Sequence, residues 1–221
     1  MYKALFFKEW IKLRWLILIL IGLSLLTFLK IFLNISAAVE VKGAYHLWFV
    51  VIFKKAVIYS DIKYIIPFSG IVLALAQFVP ETRERRLRLL FHLPVNHNKS
   101  LFFMLFTGFS AVLFLIGINL ILLVWMMSVF FPKEVVISSI ITSAPWFVSG
   151  LAAYLGISLA VVEPAAWTKV IYAVSAFSMA LLFFEPDAGA YSESLYKYVI
   201  FSLFYTFTLL LPAFRFKRGL N

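Results

Sequence analysis

The chain has 221 residues, of which 64% are apolar and only 14% are charged. Soluble domains average about 45–50% apolar and about 25% charged residues, and a water-soluble fold of this length could not bury so many apolar side chains in one core. The formal net charge is +10, but the basic residues flank apolar runs, which is typical of membrane orientation signals. These features exclude a soluble domain and a nucleic-acid partner, and they predict an all-α integral membrane protein.

The first fourteen residues have an amphipathic pattern. Leu5 and Trp10 belong to an apolar set, while Lys8 and Lys12 are spaced one helical turn apart on the other side. A helix of this kind lies in the membrane surface with its apolar face in the lipid. The sequence therefore predicts a separate interfacial helix over 1–14, ahead of the first membrane span.

Six apolar stretches are predicted to cross the membrane, because a span needs roughly 20 apolar residues. A shorter apolar run over 44–53 ends at two lysines and predicts an interfacial or re-entrant segment. The fifth stretch has fifteen residues and is the shortest of the six. The predicted spans are Trp15–Asn34, Ile62–Val79, Leu101–Phe131, Val135–Val162, Val170–Phe184 and Tyr198–Phe214.

Basic residues predict the orientation of these spans. With the N-terminus in the cytoplasm, thirteen Lys and Arg residues fall on the inner side and seven on the outer side, and all seven arginines are inside. Both termini are therefore predicted to be cytoplasmic. The connections are short, so residues 1–221 are predicted to form one multi-pass domain. We expect this domain in a bacterial inner membrane.

The inner loop between the second and third spans carries the functional signal. Pro80 suits the first turn of a new helix, and Glu81 and Glu84 suit its positive N-terminal end. Pro94 ends the helix, because the residue before a proline is displaced from the α conformation. The sequence thus predicts a short cytoplasmic helix over 81–94.

One face of this predicted helix is apolar. Leu87, Leu90 and Phe91 share it by helical spacing. In one interpretation, this face rests on lipid headgroups below a basic loop. In the other, it inserts into a groove on a soluble partner, where burial of each side chain contributes about 1.5–3 kcal/mol.

The run Glu84–Val95 (ERRLRLLFHLPV) resembles the coupling helix of type-2 ABC exporter permeases. The amphipathic N-terminal segment is similar to the elbow helix of that family, and the layout of six spans with both ends inside is the same. The pair Arg85-Arg86 departs from the family pattern, since many members have a small pair there. The resemblance implies these docking residues: Glu81, Glu84, Arg85, Arg86, Leu87, Leu90, Phe91, Leu93 and Pro94.

The resemblance also implies partners. Two permease chains, either two copies of this one or this chain and a related permease, would pair around a substrate pathway, and two separate ATPase subunits would drive alternating access. The chain lacks a Gly-x-x-x-x-Gly-Lys-Ser/Thr loop, so ATP and Mg²⁺ are expected on the ATPase and no cofactor on this chain. The short apolar outer connections favour export over import.

Two other classes of function are alternatives to a transporter. A membrane scaffold or assembly factor would use the same basic loop to hold a cytosolic partner or anionic lipid. An intramembrane enzyme would need a cluster of titratable groups, whereas His46, His92 and His97 have no nearby ligand set. We therefore expect no catalytic residues and no metal site, and the absence of cysteine excludes thiolate ligands.

Four residues within the spans are candidates for a pathway or an interface. Lys30 either extends to the outer headgroups or lines the pathway. Asn119 is expected to bond a neighbouring helix. Gly70 and Gly156 belong to small-residue patterns that permit close helix approach, either within one chain or between two permease chains.

Overall fold

A computed structural model describes residues 2–83, 97–184, 193–197, 199–200 and 203 of the chain. This part is all-helical and contains no strand. In chain order the helices are α1 (Tyr2–Lys42), α2 (Ala44–Ile52), α3 (Ile62–Arg83), α4 (His97–Phe130), α5 (Lys133–Val162) and α6 (Ala166–Leu181).

Four of these helices are long and apolar enough to cross a membrane, which confirms a helical membrane protein. They are α1, α3, α4 and α5. Helix α6 has 16 residues and is a shorter apolar helix of about 24 Å. The predicted sixth span over 198–214 lies almost entirely outside the described residues. The count of six spans and the cytoplasmic position of both termini therefore stay predictions.

Helix α1 differs from its sequence-based prediction. It is one helix of 41 residues, about 60 Å long, which is about twice the thickness of the hydrocarbon layer. The predicted interfacial helix over 1–14 is not a separate element but the first turns of α1. The physical reason is that no proline occurs before Pro67 and no glycine before Gly22, so nothing in the sequence interrupts the helix.

Gly43 ends α1 and starts the short helix α2. Its φ of 80° lies in the left-handed region that glycine adopts without a steric cost. The nine-residue α2 corresponds to the apolar run over 44–53, which is too short to span. The indole N–H of Trp48 in α2 donates to the carbonyl of Phe130 at the end of α4, 3.1 Å away.

Helix α5 is the centre of the bundle. In its most apolar stretch 78% of the residues are buried, against 28% in α1 and 33% in α4. Among the residues that the structure describes, α1 and α4 therefore present most of their apolar surface outward. The buried serine and threonine hydroxyl groups of α5 donate within the helix: Ser149 and Ser158, for example, donate to carbonyls three and four residues earlier. Back-bonding of this kind lets a helix carry serine into an apolar interior.

Ion pairs join α1 to the α3 region at both ends and show that the two helices are antiparallel. Lys12 near the start of α1 pairs with Glu81 near the end of α3, and Lys30 pairs with Asp61 just before α3. We call the first of these the N-terminal end of the bundle and the second the opposite end. The segment over 84–96, which connects α3 to α4, begins at the N-terminal end.

Candidate functional site

Four charged residues from α1 and α3 form an ion cluster at the N-terminal end: Lys8, Glu9, Lys12 and Glu81. The Lys12 ammonium donates to one carboxylate oxygen of Glu81 at 2.5 Å and to Glu9 at 3.0 Å. The Lys8 ammonium reaches the same Glu81 oxygen at 2.8 Å. Two positive and two negative charges are therefore balanced within one contact network.

The two carboxylates of the ion cluster are buried. The side chain of Glu9 is 0% exposed and that of Glu81 is 1% exposed, whereas the side chain of Lys12 is 16% exposed. Ionised groups in such surroundings are stable only when they are paired and hydrogen-bonded. The second carboxylate oxygen of Glu9 has no hydrogen-bond partner among the residues that the structure describes, so the pairing of Glu9 is less complete than that of Glu81.

The local structure explains how this cluster forms. Lys8 and Lys12 are four residues apart and lie on the same face of α1, which is the face that meets α3. The sequence predicts a new helix over 81–94 directly after Pro80, but α3 includes Pro80 and ends at Arg83. This corrects the expectation for Glu81: it lies in the last turn of α3, and its carboxylate is directed at α1 rather than available to a soluble partner.

A second polar network lies one turn further into the bundle and joins three helices. Tyr154 of α5 donates its hydroxyl to the side-chain oxygen of Gln77 in α3, at 2.7 Å. The Gln77 amide donates to the carbonyl of Met104 in α4, also at 2.7 Å. A Cβ on Gly108 would overlap both polar side chains, so this glycine leaves the space that the network needs. The end of α3 is thus fixed to α1, α4 and α5 together.

Removal of the Tyr154 hydroxyl should destabilise the chain. Tyr154→Phe leaves the buried Gln77 oxygen without its donor, and an unsatisfied buried group costs about 1–3 kcal/mol. The midpoint of thermal unfolding in detergent, followed by tryptophan fluorescence, should fall. Tyr45→Phe is the matched control, because Tyr45 is 86% exposed and should show no change. Equal midpoints for both variants would contradict the role of the network.

Most of the predicted docking residues, Glu84 to Pro94, lie outside the part of the chain that the structure describes. The predicted helix over 81–94 and its apolar face therefore stay predictions, and residues 81–83 belong to the last turn of α3. What the structure adds is the point of attachment: the segment starts one residue after Arg83, where α3 is held by the ion cluster.

Two of the candidate pathway residues have partners within the chain. Lys30 donates to the carboxylate of Asp61 at 2.7 Å, and its side chain is 65% exposed at the opposite end of the bundle. Asn119 is 1% exposed and bonds a neighbouring helix, with its amide nitrogen 3.2 Å from the hydroxyl of Ser24 in α1. Its amide also donates to the carbonyl of Leu115 at 2.8 Å. Both side chains therefore hold helices together.

Gly70 and Gly156 are at close helix contacts inside the chain. A Cβ on Gly70 would overlap the carbonyl oxygen of Gly150, and a Cβ on Gly156 would overlap the side chain of Ala176. Gly70 thus lets α3 approach α5, and Gly156 lets α5 approach α6. In the described part of the chain both glycines are buried, which favours the interpretation of packing within one chain.

Sequence reasoning missed the central part of this site. The amphipathic pattern predicts Lys8 and Lys12 on the polar face of an interfacial helix, and it gives no role to Gln77 or Tyr154. The available signal was Gln77 with Glu81, two polar residues four apart near the end of an apolar span, since such residues face the bundle interior and need partners.

No protein-family model, curated protein or solved structure matches this chain. The resemblance to type-2 ABC exporter permeases therefore rests on the residues quoted above.

Proposed function

We propose that the chain is the membrane subunit of an ATP-driven exporter, in which the segment over 84–96 docks on a separate ATPase and transmits its movement to the spans. The observation that carries this proposal is the ion cluster. It connects the last turn of α3, immediately before that segment, to α1 through buried charges.

The arrangement suits the transfer of movement. A helix moves as a rod, and a force applied at residue 84 acts first on the last turn of α3. Because Glu81 is bound to two lysines of α1, and Gln77 is bound to α4 and α5, that force reaches three other helices within about two turns of α3. Contiguous hydrogen bonds and rigid helices are the usual carriers of such coupling.

The proposal includes partners and a location. ATP and Mg²⁺ bind to two copies of a P-loop ATPase, since this sequence has no P-loop. A second permease chain completes the pathway, and the outward apolar faces of α1 and α4 offer surface to lipid and to that chain. The complex resides in a bacterial inner membrane, with the N-terminal end of the bundle on the cytoplasmic side.

Co-purification from native membranes tests the docking step. A tagged chain should retain a P-loop ATPase identified by mass spectrometry, and Leu90→Asp or Phe91→Asp should remove it, because each places a charge on the predicted apolar face. If each side chain contributes about 1.5–3 kcal/mol, retention should drop at least tenfold.

Leu89→Asp is the matched control for these two changes. It adds the same charge to the same segment, but helical spacing puts Leu89 on the opposite side, so the ATPase should be retained. Retention by all three variants would rule out the docking face. A retained partner that is not an ATPase, with no ATP hydrolysis by the complex, would instead support a scaffold.

A further inference from the structure

A cavity of about 430 Å³ opens at the opposite end of the bundle, far from the ion cluster. It lies between the end of α2, the following turn and the first turns of α5. Its walls are mainly apolar, with Ile52 and Val135 among the lining residues, and two charged residues, Lys55 and Glu134, also line it. The volume falls within the range of about 300–1,000 Å³ that is typical of small-molecule sites.

The two charged side chains are exposed, and neither forms an ion pair with any residue in the described part of the chain. Lys55 also has a φ of 50°, the one positive φ of a non-glycine residue that the structure describes. Residues other than glycine rarely adopt this left-handed backbone conformation, and those that do are concentrated at functional sites. The cavity therefore combines a cation and a carboxylate that lack partners with a constrained backbone.

Neutral polar groups complete the wall. Tyr59 and Ser138 are among the residues that line the cavity. Burial raises the pKa of Tyr59 to about 12, so its phenol stays protonated at physiological pH. Pro132 and Glu134, on either side of the first residue of α5, line the cavity, so the positive end of this helix adjoins it.

Exposed aromatic residues indicate the depth of this cavity in the membrane. Helix α2 and the residue after it expose Tyr45, Trp48, Phe49 and Phe53. Tyrosine and tryptophan, here Tyr45 and Trp48, concentrate at the level of lipid headgroups. The cavity, which begins at the end of α2, is therefore open to headgroups rather than to the centre of the bilayer.

We propose that this cavity binds the headgroup of a zwitterionic phospholipid with a primary amine, of the phosphatidylethanolamine class. Lys55 pairs with the phosphate, and Glu134 accepts hydrogen bonds from the ammonium group. Ile52 and Val135 pack against the glycerol and the first carbons of the acyl chains. A fully methylated ammonium has no N–H group to donate to Glu134, and an uncharged headgroup can form only a weaker hydrogen bond without charge assistance.

Native mass spectrometry of the purified chain, titrated with lipids of identical acyl chains, tests this proposal. Phosphatidylethanolamine should bind about tenfold more tightly than phosphatidylglycerol, because a hydrogen bond to a charged group is worth roughly one decade of affinity. Glu134→Gln should abolish that preference, and Lys55→Gln should weaken the binding of both lipids. Methylation of the amine to phosphatidylcholine should weaken binding to the unmodified protein, which tests the amine without any substitution.

Lys54→Gln and Glu40→Gln are the matched controls, since both residues are exposed and neither lines the cavity. They should bind phosphatidylethanolamine like the unmodified chain. Equal binding of the three lipids, or a preference that survives Glu134→Gln, would overturn the proposal. Soluble phosphoethanolamine that competed at the same concentration as the lipid would overturn the assignment to a membrane lipid.

Discussion

Gly70→Leu should prevent the chain from folding stably, and Gly70→Ala should already lower the midpoint of thermal unfolding by about 2–12 °C. A Cβ at this position would overlap a backbone carbonyl oxygen, that of Gly150. Backbone cannot rotate away as a side chain does, so α3 and α5 would have to separate along their contact. Overpacking of a core costs about 1–3 kcal/mol, and each kcal/mol shifts the midpoint of a chain of this size by about 2–4 °C.

Gly117→Ala is the matched control, because it makes the same change in another transmembrane helix. In the part of the chain that the structure describes, no atom of another helix lies within 4 Å of a Cβ built on Gly117. Alanine favours the helix more than glycine does, so this variant should unfold at the same temperature or a higher one. A fall in midpoint as large as that of Gly70→Ala would show that glycine content, rather than the α3–α5 approach, determines stability.

Glu81→Gln should destabilise the chain by about 3–5 kcal/mol, the usual cost of breaking a buried ion pair from one side. The change keeps the size of the side chain but leaves Lys8 and Lys12 with an excess positive charge beside the bundle. Denaturant unfolding in detergent measures the effect. Lys12→Met should also destabilise, and the double variant should lose less than the sum of the two, because both changes remove the same contact.

Asp61→Asn provides the comparison for the ion cluster. It breaks the pair with Lys30 at the opposite end, whose side chains are 65% and 43% exposed, so it should cost no more than about 1 kcal/mol. Similar losses for Glu81→Gln and Asp61→Asn would mean that burial does not strengthen the cluster. Additive effects of Glu81→Gln and Lys12→Met would contradict a direct interaction between the two side chains.

The sequence predicts the individual helices well because their signal is local. Long apolar runs identify α3, α4 and α5, and their ends differ from the predicted spans by a few residues. The run over 44–53 is correctly distinguished from a span by its length, and it forms α2. Hydropathy and helix length therefore establish the class of the protein without any knowledge of packing.

The sequence does not predict which residues meet between helices. Lys12 and Glu81 are 69 residues apart, and Gln77 and Tyr154 are 77 apart, so no periodicity within one helix connects them. The amphipathic pattern of the first turns of α1 has two physical explanations, a membrane surface or a neighbouring helix. Only the position of α3 decides that Lys12 faces Glu81.

Site-specific photo-crosslinking tests the central claim most directly. With p-benzoylphenylalanine in place of Leu90, irradiation of intact cells should give a covalent adduct with a P-loop ATPase, identified by mass spectrometry. The same probe at Lys54, on the opposite end of the bundle, should give no such adduct. An adduct with lipid alone at Leu90, or an ATPase adduct of equal yield at Lys54, would contradict the account.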